Sequence, residues 1–92
     1  MANYYIKDKN ITGTVSSPQT IRYSDLVDVD GNSLPSTFSI TPFIMIASKY
    51  NDRDVHIVNG SKTTSLFQVA MSNLSGDLSI SNVLVDMIII GS

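Results

Sequence analysis

Cysteine, tryptophan and glutamate are all missing from these 92 residues, and histidine occurs once. Without cysteine, neither disulfides nor a thiolate metal site can hold the chain together. His56 alone cannot build a metal centre, so no cofactor is expected. Charge is also scarce: 15% of residues are charged, and 6 basic against 8 acidic residues leave a net charge of −2. An average domain carries about 25%. So weakly charged a surface focuses little field, which argues against nucleic acid as a partner. No stretch approaches the ~20 apolar residues of a spanning helix. The longest candidate, 83–90, is interrupted by Asp86, and residues 1–10 lack the apolar core of a signal peptide. The expectation is a soluble chain without membrane insertion, made in a cytoplasm.

What is present is a series of short β-type runs separated by turn chemistry. Extended pieces are expected at 4–6 and 11–15, with Lys7-Asp8-Lys9-Asn10 as a turn or linker between them. A strand is placed near 20–23, followed by the turn-rich stretch 28–33 and by Pro35. Residues 37–40 are read as extended, Pro42 as a bend, and 43–50 as a strong strand. Asn51-Asp52-Arg53-Asp54 reads as a turn, 55–58 as the returning strand, and Asn59-Gly60 as a tight turn. Further strands are expected at 63–72 and 83–90. There is no internal repeat and no long helical periodicity. The pattern fits an all-β chain: an extended arm over 1–19, then one antiparallel sandwich or barrel domain over 20–92.

Two of these strands have too much apolar surface. Side chains alternate across a strand, and a half-buried strand is polar on one side. In 43–50, Phe43, Met45, Ala47 and Lys49 share one side, while Ile44, Ile46, Ser48 and Tyr50 share the other. In 83–90, Val83, Val85, Met87 and Ile89 oppose Leu84, Asp86, Ile88 and Ile90. A two-sheet domain turns only one side of each sheet inward, so the second apolar side calls for a cover, and a neighbouring subunit supplies it economically. Loops or the N-terminal segment of the same chain are the alternative. Gln68 and Asp86 are polar groups on partly apolar faces. They are expected either at a solvated rim or in a polar network between subunits; an ionised Asp86 buried there needs a donor.

Other candidate sites are weak by spacing. Asp28-Val29-Asp30-Gly31-Asn32 alternates hard oxygen donors beside a glycine, as calcium prefers. Counting an EF-hand loop from Asp28 puts Ser33 at the glycine position and Ser39 at the bidentate glutamate position. Asp28 and Asp30 are therefore read first as a turn, with an irregular cation site as the alternative. Asp52, Arg53, Asp54 and His56 gather polar groups at one strand connection. The Arg53 fork suits a carboxylate or sugar hydroxyl, against a default of ordinary solvated turn chemistry. The tyrosines Tyr4, Tyr5, Tyr23 and Tyr50 suit interface contacts. Serines abound, but neither a Gly-x-Ser-x-Gly elbow nor a phosphate-cradling glycine loop occurs, and no enzymatic activity is expected.

The run Phe38-Ser39-Ile40-Thr41-Pro42-Phe43-Ile44-Met45-Ile46-Ala47-Ser48-Lys49-Tyr50 resembles the segment leading into a strand of H-type lectin-like domains. Ser65-Leu66-Phe67-Gln68-Val69-Ala70-Met71-Ser72-Asn73 is similar to that family's central strand, and Val85-Asp86-Met87-Ile88-Ile89-Ile90-Gly91 to its closing strand. The resemblance spans about 20–91. It implies a six-stranded antiparallel sandwich assembling as a homotrimer, of the kind found in invertebrate lectins and in phage tail, fibre and baseplate proteins. It further implies sugar clefts between subunits, with Asp52 and Arg53 in a suitable loop and Asp86 on the closing strand. Val85 and Met87 stand where the family carries an aromatic. The resulting expectation is a non-enzymatic virion component whose partners are other phage proteins and, at the host surface, carbohydrate. A carbohydrate-binding module and a general protein-interaction domain are the alternatives.

Overall fold

The computed structural model describes residues 1–50, 53–73 and 82–92. They form six strands in two antiparallel three-stranded sheets. The strands are β1 (Ala2–Ile11), β2 (Gln19–Arg22), β3 (Phe43–Ser48), β4 (Arg53–Ile57), β5 (Leu66–Asn73) and β6 (Val83–Gly91). Sheet A has the order β1-β6-β3 and sheet B the order β2-β5-β4. Only β4 and β5 are sequence neighbours within one sheet; every other connection passes between the sheets. The all-β sandwich expected from the alternation is therefore the architecture, and its core lies between the sheets.

Alternation explains the packing strand by strand. Sheet B turns Ile21, Val55, Phe67, Val69 and Met71 inward, and sheet A turns in Ile6, Ile11, Ile44, Val83, Val85, Met87 and Ile89. All are buried. Each such aliphatic or aromatic side chain contributes about 1.5–3 kcal/mol when fully buried, which is how a chain without cysteine holds together.

The N-terminal segment corrects the arm reading. β1 is hydrogen-bonded to β6 along nearly its whole length, from Ala2 opposite Gly91 to Ile11 opposite Val83, so the sandwich begins at Ala2 rather than near Thr20. The lysine- and aspartate-rich stretch at 7–10 looked like a turn because its residues break strands. Here it makes a β-bulge instead. Ile6 opposes Met87 and Lys9 opposes Val85, which leaves one extra residue on β1. Asp8 absorbs the distortion at φ 59°, a left-handed conformation that aspartate tolerates better than most residues. The Val29 N–H donates to the Tyr5 carbonyl at 2.9 Å, so the loop after β2 covers part of the outer edge of β1.

Residues 37–40, expected as extended, make no strand. They belong to a plug between β2 and β3 that fills one end of the sandwich. Tyr23, Leu26, Leu34 and Phe38 are buried there. The Tyr23 and Phe38 rings meet edge to face at 5.0 Å, and Tyr23 lies 5.6 Å from Phe67. The Phe38 N–H donates to the Thr64 carbonyl at 2.8 Å, tying the plug to the β4–β5 connection. Gly91 makes room for the plug, since a Cβ there would fall 2.6 Å from the Phe38 ring.

Candidate functional site

The polar residues singled out at the start of β4 do not converge. Arg53, Val55 and Ile57 lie on the side of β4 that faces sheet A, whereas Asp54 and His56 project to solvent. Arg53 sets its guanidinium 4.4 Å from the centre of the Tyr50 ring, a cation–π contact that occupies one face of each group. On the other side, His56 Nδ1 is 3.9 Å from Asp54 Oδ2, and both side chains are exposed. Asp52 lies outside the described residues. The turn expected over 51–54 gives way to strand at Arg53, because Asp54 pairs with Ser72 and His56 with Ala70 along β5.

Gln68 sits mid-strand on the outer face of sheet B. Its Nε2 donates to the Thr20 hydroxyl at 3.4 Å, across the register pair Thr20–Gln68. Asp86 sits on the outer face of sheet A, and its donors come from its own chain. The Asp8 N–H at the bulge donates to Asp86 Oδ1 at 3.1 Å, and Lys49 Nζ lies 3.7 Å from the same oxygen. Lys49 is also ion-paired with Asp8. That Lys49 hydrogen bond holds the Asp8 carboxyl below its ordinary value, and the same bond from Asp8 pushes the Lys49 ammonium up. The bulge thus brings a backbone donor to Asp86, and the residue after β3 brings a cation, without a second subunit.

Asp28 is used up in its own turn. Its Oδ1 accepts the N–H groups of Asp30 at 3.0 Å and Asn32 at 2.9 Å, and Gly31 supplies the positive φ of 85°. This is an aspartate closing a loop through its side chain. Asp30 is exposed. Among the described residues, no group of three or more histidine, cysteine, aspartate or glutamate side chains is placed to hold a metal ion.

Tyr23 is a structural residue rather than an interface one. It is fully buried, its hydroxyl donates to the Thr63 carbonyl at 2.8 Å, and burial pushes its phenol up to about 12. It therefore stays a protonated donor. Nothing in the sequence separated it from Tyr5 or Tyr50, because the plug that buries it is a tertiary feature.

Among the described residues, the outer face of sheet A exposes large apolar side chains. Two cross-strand rows run over the outer face of sheet A: Tyr5, Ile88 and Met45, and next to it Asn3, Ile90 and Phe43. Phe43 and Met45 are each 54% exposed and Tyr5 is 49% exposed. Beside these rows the small side chain of Ala47, opposite Asp86, leaves a hollow of about 160 Å³. Tyr5, Met45, Asp86 and Ile88 wall it. Side chains of this size bury ~150–250 Å² each, so the three exposed ones offer about 300 Å² together. With Ala47, Ile88 and Ile90 the patch is on the order of 500 Å², the size of the largest apolar patch on a typical monomer, which is often functional. Comparison with protein-family models, with curated proteins and with solved structures yields no match for this chain.

Proposed function

We infer that this chain is a non-enzymatic structural module that works assembled with copies of itself. The observation that carries this reading is the outer face of sheet A, where aromatic and aliphatic side chains form continuous rows in water. A lone domain gains nothing from such a face, whereas a second chain laid on it removes that area from water. The histidine supports the same reading. Its charged neighbour is the exposed Asp54, a pair suited to solvent rather than to activating a buried nucleophile.

The resemblance to H-type lectin-like domains narrows the role. It supports a component of a phage virion, in a tail, fibre or baseplate, with other virion proteins as partners and a homotrimer as the family's assembly. The six-stranded sandwich suits that reading. The deciding experiment is the solution mass of the purified chain, followed by co-purification with the other virion proteins of its phage. A homo-oligomer that captures a tail or baseplate protein is the expected result, and a chain that stays monomeric and captures none contradicts it.

A carbohydrate-binding module is the second reading, favoured by the exposed Asp54–His56 pair on one side of β4 and by the Arg53–Tyr50 stack at its start. Saturable binding to a host-surface glycan, lost in Asp54→Ala and His56→Ala variants that remain folded, would establish it. A general protein-interaction domain is the third, distinguished by a partner that is neither glycan nor virion protein.

A further inference from the structure

We propose that Asn59, in the turn that follows β4, is a site of self-modification: the Gly60 backbone nitrogen attacks the Asn59 side-chain carbonyl carbon, and the side-chain nitrogen is lost as ammonia. The products are aspartate and isoaspartate at position 59.

Asn59 is the only asparagine in the chain followed by glycine, which has no side chain to shield its nitrogen. Both residues are exposed. The Ser61 N–H donates to the Val58 carbonyl at 3.1 Å and closes the turn, while Gly60 carries φ 79°, as in a type II turn. Among the described residues, nothing hydrogen-bonds to the Asn59 side-chain amide, the Asn59 carbonyl or the Gly60 N–H. A Cβ on Gly60 would meet no atom within 4 Å, so the space around it is open. Ring closure requires the Asn59–Gly60 peptide plane to rotate, and that rotation breaks no hydrogen bond. The bonds that hold the turn lie outside this plane: Ser61 Oγ donates to the Val58 carbonyl at 2.7 Å and accepts the Gln68 N–H at 3.0 Å. Asp30–Gly31 is the contrasting pair. The Gly31 N–H donates to the Asp28 carbonyl at 3.0 Å, so the same rotation there forfeits a hydrogen bond.

The step needs no co-reactant but water. The Gly60 nitrogen gives its proton to solvent base and bonds to Asn59 Cγ. The bond from Cγ to the side-chain nitrogen breaks, and that nitrogen takes up protons and leaves as ammonia. The cyclic imide that results spans the two residues. Water then adds to either ring carbonyl and reopens it. One opening gives aspartate; the other gives isoaspartate, whose backbone runs through the former side chain and is longer by a methylene. In sum, amide and water become carboxylic acid and ammonia, with nothing oxidised or reduced. Either product adds a negative charge to a chain of net charge −2, at the end of β4 opposite Arg53.

The full chain is held at slightly acidic and at mildly alkaline pH, and peptide mapping by mass spectrometry follows every asparagine with time. Asn59 is expected to lose its amide before any other asparagine and to yield isoaspartate together with aspartate. The loss is expected to be faster at the higher pH, because the attacking nitrogen must be deprotonated. Earlier conversion of another asparagine, aspartate as the sole product, or a rate that does not rise with pH overturns the proposal. The Gly60→Asn variant keeps a residue that tolerates positive φ but covers the nitrogen with a side chain. Circular dichroism checks that it retains its sheets. Loss of the reaction at Asn59 over the same period is expected, and an unaltered rate overturns attack by that nitrogen. Should the variant fail to fold, the site order and products in the unsubstituted chain decide the matter alone.

Discussion

The two sheets have similar inner faces and opposite outer ones. Sheet B shows water a mainly polar surface: Thr20 and Arg22 on β2, Gln68 and Ser72 on β5, Asp54 and His56 on β4, with Leu66 and Ala70 of β5 between them. Several of these groups pair with one another, as in Gln68–Thr20 and His56–Asp54. Sheet A shows Tyr5, Phe43, Met45, Ala47, Ile88 and Ile90, with its charges gathered at one end. Inner faces need only be apolar to make a core. An outer face can be either, and its composition reports what touches it. On the proposed reading, sheet B ends in solvent and sheet A is covered by another copy.

The largest effects should not distinguish the sheets. Phe67→Ala in sheet B and Met87→Ala in sheet A both open the shared core, and chemical denaturation should show losses of about 3–5 and 2–5 kcal/mol. A change near zero at either site would mean that the sheets do not share one core.

Next come the two close-packed glycines, one beside each sheet. A Cβ on Gly13 would lie 2.3 Å from the Gln19 backbone nitrogen and 2.7 Å from the Val69 carbonyl oxygen, whereas one on Gly91 meets the Phe38 ring. Backbone cannot step aside as a side chain can, and overpacking costs ~1–3 kcal/mol or more. Gly13→Ala should therefore lower the melting temperature further than Gly91→Ala. The reverse order would show that the plug around Phe38 is the more rigid of the two.

The outer faces should then separate sharply. Ile88→Asp on sheet A should abolish the concentration dependence of melting, since association stabilises a chain by mass action. Thr20→Asp on sheet B should leave both mass and stability within ~0.5 kcal/mol of the starting chain. Equal behaviour of the two variants would erase the contrast.

The smallest effect concerns the charged end of sheet A. Asp8 has a folded carboxyl pKa below its ordinary 3.8, chiefly through the Lys49 hydrogen bond. Its contribution is present above that unfolded value and is lost as pH falls through the lower folded one. Lys49→Met should therefore flatten the acid limb of the stability curve below about pH 4, with the effect reduced by salt because the pair is exposed. An unchanged acid limb would show that the pair contributes nothing.

Much of this contrast was legible in the sequence. The double-sided apolarity of β3 and β6 follows from period-2 alternation alone, and so does the inward set Phe67, Val69 and Met71. The Asn59-Gly60 turn was legible too, with Gly60 at φ 79°. β1 was not, because its bulge is made from residues that usually end strands, and only pairing with β6 keeps them extended. The plug was hidden for a related reason: Leu26, Leu34 and Phe38 have no shared period and converge only in three dimensions. For the candidate site, spacing brought Arg53, Asp54 and His56 together, but alternation along β4 parts Arg53 from the other two. Asp86 was recognised as needing a donor, and its donor is the backbone of the bulge that the sequence concealed.

On the proposed function, the outer face of sheet A is a contact surface between copies. Its most direct test is the exposure of Met45 in solution, read by its rate of oxidation with dilute peroxide across a wide range of protein concentration. Met45 is expected to be protected at high concentration and to become reactive on dilution, while the fully buried Met87 stays protected throughout. A Met45 oxidised equally fast at every concentration would contradict it.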